Sequence, residues 1–235
     1  MDKKIIIGII VVSALVFIAS MLMPVPVGDS ETDKSETGGG KDGAQFLPWQ
    51  IEPTSGGSIR VFGITLGETT LHEANTLYHN GAEVSLFVSP KGQYKVEAYF
   101  DKVVLGGFSS QMILVVDLPQ EQQTVMFQRG IRVSSLGSGK KKVTLAADDL
   151  QTAFAAPVIS LTYLTRARLD NDLLIKRFGE PVKRISEPES NTTHWLYPEI
   201  GLDVALGEEG RAVLQYVPPN QFAVLMAPLL ELETE

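Results

Sequence analysis

The feature that most constrains this chain is an uncharged, strongly apolar run of nineteen residues from Ile5 to Met23. A helix rises about 1.5 Å per residue, so a run of this length can cross the hydrocarbon core of a bilayer. Lys3 and Lys4 precede the run, and the flank beyond it is acidic, with Asp29 and Glu31. Because basic flanks stay in the cytoplasm, the pattern predicts a single-pass anchor in a bacterial inner membrane, with the C-terminal part in the periplasm.

A cleaved secretory signal peptide is the alternative interpretation of the same run. The apolar region of a signal peptide usually has about 7–15 residues and ends in small residues at A-x-A spacing. Here the run is longer, and the sequence IASMLMPVPVG at its end has no clear cleavage site. We therefore expect an uncleaved anchor, and a mature N-terminus between residues 20 and 28 would contradict that expectation.

Charge and cysteine content exclude several classes of protein. The chain has 28 acidic and 20 basic side chains, a net charge of −8. That balance argues against nucleic acid as a partner, because binding to phosphates requires clustered Lys and Arg. The sequence contains no cysteine, which excludes disulfides, thiolate metal ligands, cysteine nucleophiles and a lipobox attachment site.

Composition divides the chain into five parts. Residues 1–23 are the predicted cytoplasmic tip and anchor, and residues 24–57 are polar, acidic and Gly-rich, which predicts a flexible linker. Residues 58–130 form a first predicted αβ unit, residues 131–157 a connector with a basic turn and a helix, and residues 158–235 a second αβ unit with a tail. The predicted fold class is α+β: a transmembrane helix, then two similar αβ units with antiparallel sheets.

The second unit contains a sharply bounded helix pattern, LDNDLLIKRFGEP. Its leucines and phenylalanine recur at helical spacing, and Asp170 or Asn171 suits the N-cap. Gly179 allows the positive φ that ends a helix, and Pro181 prevents continuation. Helix-stop rules account for every residue of RFGEP, so the stretch is predicted to be structural.

The two halves of the folded region agree in element order at an offset near 100 residues, with very low identity. This agreement favours an internal duplication, while a chance likeness between two αβ meanders is the alternative. Four pairs of positions carry the alignment: Ile59 with Ile159, Gly81 with Gly179, Val84 with Val182, and Pro119 with Pro219.

A helix ending in FGEP, a strand, an aromatic pair and two further strands resemble the BamE/SmpA-OmlA group of small αβ envelope proteins. The matching residues are Phe178, Gly179, Pro181, Trp195 and Tyr197. The resemblance covers roughly residues 166–217, and residues 64–118 more faintly. It implies a non-catalytic interaction fold of the cell envelope. The chain departs from that group by lacking the lipobox cysteine and by carrying an apolar anchor instead.

The sequence predicts no catalytic, cofactor-binding or metal-binding residues. His72 and His79 share one predicted helix, but seven residues separate them by about 10.5 Å along the axis. One zinc ion needs its nitrogen ligands at about 2.0–2.1 Å, so both histidines cannot bind it. There is no G-x-S-x-G nucleophile motif.

Two groups of residues are candidates for interaction with a partner. Trp195 and Tyr197 alternate on one predicted strand and therefore share a face, which either packs in the core or anchors a partner. Lys140, Lys141 and Lys142 form a basic turn that can contact anionic lipid or an acidic partner. A solvated turn is the alternative for the lysines.

These observations predict a membrane-anchored periplasmic binding or assembly protein of the bacterial envelope, a non-catalytic accessory subunit or scaffold. The expected partners are the inner membrane, through residues 5–23, and another envelope protein. Two alternatives stay open: an exported hydrolase with a dispersed site, and a periplasmic carrier of lipid or another small ligand. A cleft with a histidine near a carboxylate or serine would favour the hydrolase, and an apolar cavity between the two units would favour the carrier.

Overall fold

Two antiparallel sheets contain all the strands of the described chain. The computed structural model describes residues 46–79, 81–165, 167–187 and 190–231. A small sheet consists of β1 (Ile51–Pro53), β2 (Ile59–Val61) and β3 (Ile64–Thr65). The large sheet has ten strands: β4 (Glu83–Val88), β5 (Tyr94–Leu105), β6 (Phe108–Val116), β7 (Arg132–Gly137), β8 (Lys140–Thr144), β9 (Val158–Leu164), β10 (Lys183–Glu187), β11 (Thr192–Tyr197), β12 (Leu202–Leu206) and β13 (Ala212–Tyr216).

Five α-helices accompany the sheets in the described residues. They are α1 (Leu71–Leu77), α2 (Gln120–Gln128), α3 (Ala147–Ala155), α4 (Asn171–Phe178) and α5 (Phe222–Glu231). None of the helices in the described ranges is both long enough and apolar enough to cross a bilayer. The predicted anchor, Ile5 to Met23, lies outside those ranges.

The strand order of the large sheet is β10-β11-β12-β13-β9-β6-β5-β4-β8-β7, and every neighbouring pair is antiparallel. Strand β9 lies between the two meanders, because it pairs with β6 on one side and with β13 on the other. Its sequence VISLTYL is buried on both faces, as expected for a central strand. The two edge strands of the large sheet are β10 and β7.

The predicted fold class is therefore wrong. Strands hold 42% of the described residues against 28% in helices, so the fold is mostly β. There are no two separate αβ units with their own sheets, because β9 joins both meanders into one sheet. Alternation and turn signals identify strands, but they do not say which strands pair across a long connection. The end of the predicted linker also carries structure, since β1 lies within residues 24–57.

The two faces of the large sheet carry different coverings. The main core joins one face to helices α1 to α4 and to the small sheet. Helix α5 packs on the opposite face, where Phe222, Leu225 and Leu229 contact apolar strand residues. Strand β11 shows the alternation: Trp195 belongs to the main core, whereas Leu196 belongs to the α5 core.

Helix α1 begins with a capping box, as its sequence predicts. The Thr70 hydroxyl accepts a hydrogen bond from the Glu73 backbone N–H at 3.2 Å, and the Glu73 carboxylate accepts one from the Thr70 N–H at 2.8 Å. The Thr70 hydroxyl also donates to the Glu73 carboxylate at 2.8 Å. The backbone and hydroxyl bonds from Thr70 to this carboxylate lower the pKa of Glu73 below its usual value, since both favour the charged form.

We expect Thr70→Ala to lower the free energy of unfolding by about 1 kcal/mol, because one N-terminal N–H group of α1 loses its acceptor. Urea denaturation of the full chain measures the change. Thr76→Ala on the same helix is the control. The Thr76 hydroxyl donates to the His72 carbonyl within the helix, and alanine has the higher helix propensity. Equal losses in the two variants would contradict the role of the cap.

Helix α4 confirms the predicted bounds of the LDNDLLIKRFGEP segment. The Asp170 carboxylate accepts a hydrogen bond from the Leu173 N–H at 2.7 Å. Lys176 and Arg177 lie in the last turn, and Gly179 ends the helix with a φ of 82°. The helix buries Leu174 against the sheet, so the segment fixes α4 over the strands of the second meander.

Candidate functional site

Strand β7 is an open edge of the large sheet. It pairs with β8 on one side, and no strand of the described chain lies on its other side. An edge strand presents the N–H and C=O groups of alternate residues, a template for pairing with another strand. Exposed apolar side chains accompany these groups: Ile131 is 71% exposed, Val133 50% and Leu136 44%.

The opposite edge, β10, is protected by charge. Three of its five residues, Lys183, Arg184 and Glu187, are charged. Arg184 also pairs with Glu180 at 2.9 Å, and its guanidinium stacks on the buried ring of Trp195. Strand β7 has six residues and one charged side chain, Arg132. Natural sheets protect their edges with charged side chains, and by this criterion β7 is the unprotected edge.

The hairpin formed by β7 and β8 is a basic region of an acidic protein. Between Gly130 and Leu145 the sequence holds Arg132 and the three predicted interaction lysines, with no Asp or Glu. Lys142 pairs with Glu83 of β4 at 2.5 Å. Lys141 is exposed, with its Nζ 5.9 Å from the centre of the Phe127 ring. Burial lowers the pKa of the half-buried Lys140, and nearby Lys95 lowers it further. Because β8 pairs with β7, its three lysines lie directly beside the open edge.

Trp195 and Tyr197 lie in the main core, at 2% and 5% exposure. The Tyr197 hydroxyl donates to the Gly179 carbonyl at 3.2 Å, and its ring centre lies 5.8 Å from that of Phe178. Burial raises the pKa of Tyr197 to about 12. Tyr197 therefore holds the end of α4 on the sheet. The burial of Trp195 and Tyr197 leaves little of either side chain for a partner to contact.

The three histidines lie in different environments. His72 is an exposed residue of α1, and His79 follows that helix with a φ of 62°. His194 on β11 is fully buried and faces Asp203 on β12, with Nδ1 at 2.9 Å from Oδ2 and 3.1 Å from Oδ1. In the described ranges, no three His, Cys, Asp or Glu residues form a group that could hold a metal ion.

The His194–Asp203 pair has the distance and burial of a buried ion pair. Burial by itself lowers the pKa of His194, but the charge and hydrogen bond of Asp203 outweigh it, with a contribution from Glu187, so the pKa is raised. Nε2 is also buried, and no atom of the described residues accepts or donates a hydrogen bond there. A general base needs a reacting group within hydrogen-bond reach. Among the described residues no such group lies within reach of this pair, which is enclosed between β11 and β12.

Sequence reasoning located the basic turn but missed the role of the strand beside it. The sequence predicts that residues 131–157 connect two units, because the pattern does not reveal that β7 is the edge strand of the sheet. The missed signal is in the sequence RVSSLG, which combines strand propensity with a single charge. The partner of His194 was also missed, because cross-strand neighbours depend on register.

Comparison with known proteins gives no relative for this chain. No protein-family model, curated protein or solved structure matches it.

Proposed function

We propose that this protein is a non-catalytic binding protein of the bacterial cell envelope, held in the inner membrane by residues 5–23. In this proposal the sheet stands in the periplasm and recruits an envelope partner by adding an extended segment of that partner to β7. The observation that carries the proposal is the open, apolar and nearly uncharged edge of β7. Its location depends on the apolar run and its basic flank.

Strand addition fits the chemistry of this edge. An incoming strand gains main-chain hydrogen bonds from β7, and alternate side chains supply specificity. Val133 and Ile131 offer apolar surface for that strand. The β-bulge between Ser135 and Gly137 ends the regular part of the edge, so a segment of about four residues pairs with Arg132 to Ser135.

The charge of the hairpin indicates an acidic segment as the partner. The hairpin holds four cations and no acid; Lys142 pairs with Glu83 of β4, which leaves Arg132, Lys140 and Lys141. Two copies joined through β7 would bring six such cations together, and like charges directly opposite are unfavourable. An acidic strand would instead be attracted to these cations, and the attraction weakens as the salt concentration rises.

We expect Val133→Glu to abolish binding of the partner. The new carboxylate lies on the pairing strand, where an added acidic segment would bury it without a partner. Val182→Glu is the matched control, since Val182 is 73% exposed beside the opposite edge. The experiment places a photocrosslinking residue at Ile131 or at Val182 in cells producing the full chain. Mass spectrometry then identifies the crosslinked segment, and a synthetic peptide of that segment is titrated against the purified full chain.

The proposal is supported if Ile131 crosslinks to an acidic segment whose peptide binds the wild type and the Val182→Glu variant but not the Val133→Glu variant. We also expect binding to weaken several-fold between 0.1 and about 0.5 M salt. Crosslinks to a second copy, or a peptide that binds all three proteins equally, would contradict it. A reporter fused to the C-terminus that is active only in the cytosol would contradict the periplasmic location.

A further inference from the structure

An apolar pocket of about 170 Å³ lies beneath helix α4, on the face of the sheet that carries the main core. Leu105 of β5 and Leu214 of β13 form part of its floor, and Leu173, Leu174 and Phe178 of α4 form its roof. It therefore lies where the strands of the first and second meanders meet. A dry apolar cavity of about 150 Å³ is large enough to bind benzene, so this pocket has the volume of a six-carbon ligand.

A short strap of chain closes one side of the pocket. Leu47, Pro48 and Trp49 line it. The strap is held by the fully buried Tyr216, whose hydroxyl donates to the Pro48 carbonyl at 2.9 Å. Leu47 also packs closely on Gly106, where an added Cβ would lie 2.5 Å from Leu47 Cδ2. The wall is therefore built by specific contacts with the sheet.

The rim of the pocket is positively charged. Arg168 and Arg177 are its charged lining residues, and the lining contains no Asp or Glu, although the chain carries a net charge of −8. The exposed Arg177 places its guanidinium over the Trp49 ring, with Cζ 4.1 Å from the ring centre. Among the described residues, no carboxylate pairs with Arg177. A guanidinium stacked on a ring keeps its N–H donors at its edge, the geometry that carboxylates recognise.

We propose that this pocket binds small amphipathic carboxylates, with a short alkyl chain or a single ring beneath α4 and the carboxylate at Arg177. The apolar lining and the volume set the size of the buried part, and the cationic rim sets the charge of the exposed part. This site is separate from the β7 edge and does not depend on the proposed partner.

Tryptophan fluorescence tests the proposal directly. The chain has two tryptophans. Trp49 lines the pocket and is the reporter, whereas Trp195 is buried in the main core and is not a lining residue. The full chain in lipid nanodiscs is titrated with butanoate, hexanoate, octanoate and decanoate, and with hexanol as the uncharged match. Empty nanodiscs measure the partition of each probe into lipid. A thermal-melt shift on the same samples provides a second readout, because a ligand of the folded state stabilises it.

We expect the dissociation constant to fall about fourfold for each added methylene until the pocket is full, near six to eight carbons. Hexanoate should bind about tenfold more tightly than hexanol, since Arg177 supplies a charge-assisted hydrogen bond. Arg177→Gln should remove that difference. Lys176→Gln should retain it, because Lys176 is an exposed cation of the same helix turn outside the pocket.

Leu173→Phe, which fills the pocket from the half-buried face of α4, should weaken hexanoate binding at least tenfold with an unchanged melting temperature. The exposed Arg177→Gln variant decides the test if Leu173→Phe alters folding. Equal binding of hexanoate and hexanol, or equal effects of Arg177→Gln and Lys176→Gln, would overturn the proposal. So would signals that match those of empty nanodiscs.

Discussion

Asp203→Asn is expected to lower the free energy of unfolding by about 3–5 kcal/mol near pH 6, the usual cost of removing one partner from a buried ion pair. Asp203 and His194 are both 0% exposed, and Nδ1 lies 2.9 Å from the carboxylate. The variant keeps the shape of the side chain but removes the charge. A protonated His194 would then be buried without a counter-ion, and a neutral one would lose its charge-assisted bond.

The pH dependence of this loss has a definite sign. The charge and hydrogen bond of Asp203 raise the pKa of His194 above its ordinary value of 6.5, against the opposing effect of burial. A group with a raised pKa in the folded state stabilises that state fully below its unfolded pKa. This contribution is lost as the pH rises from about 6.5 through the higher folded pKa. The cost of Asp203→Asn should therefore be larger at pH 6 than at pH 9.

Urea denaturation of the full chain at pH 6 and pH 9 measures both effects, with a double-mutant cycle that includes His194→Gln. The matched control is His72→Gln, because His72 is an exposed residue of α1. A coupling energy near zero at pH 6, or a larger loss at pH 9 than at pH 6, would contradict the ion pair.

Local structure was predictable from this sequence wherever the signal involves neighbouring residues. The capping box at Thr70 and the glycine stop at Gly179 are both present where the pattern places them. The Thr70 and Glu73 side chains bond backbone groups three residues away, and Gly179 adopts the positive φ that a residue without a Cβ allows. The same locality explains why RFGEP could be interpreted as a helix stop without knowledge of the tertiary structure.

Sheet order was not predictable, because it depends on contacts between distant segments. Strand β9 pairs with β6 and with β13, about 50 residues away on each side. The apolar sequence VISLTYL indicates a central strand, but it does not name the neighbours. The strand order also decides that β7 is an edge and that the two meanders meet at the floor of the α4 pocket. Both candidate sites therefore depend on information that the local pattern does not contain.

The two proposed sites are far enough apart to be occupied together. The strand of the pocket floor that lies nearest to β7 in the sheet order is β5, through Leu105, and three strand steps separate it from β7. At about 4.8 Å per step the separation across the sheet is roughly 14 Å. A small carboxylate under α4 would not touch a strand added at β7. If the carboxylate changed the affinity for the partner, the two sites would have to be coupled through the sheet. Titration of the partner peptide with and without hexanoate measures that coupling free energy.

Gly201→Ala is expected to have the other large effect, a loss of more than about 4 kcal/mol in the free energy of unfolding. Gly201 ends the turn between β11 and β12 with φ 62° and ψ 30°, the left-handed region, which costs a non-glycine residue about 1–2 kcal/mol. An added Cβ would also lie 1.9 Å from the Val217 carbonyl oxygen and 3.3 Å from the Pro219 nitrogen. These are backbone atoms, so no side-chain rotation relieves the contact.

The clash matters because the Val217 N–H donates to the Gly201 carbonyl at 2.9 Å, and Val217 packs in the core beneath α5. Relief would separate the turn from the end of β13. Gly107→Ala is the matched control, since Gly107 has a φ of 84° and no atom within 4 Å of an added Cβ. That variant should lose only the conformational cost of about 1–2 kcal/mol. Denaturation curves with equal midpoints for the two variants would show that the close approach at Val217 adds nothing to the strain.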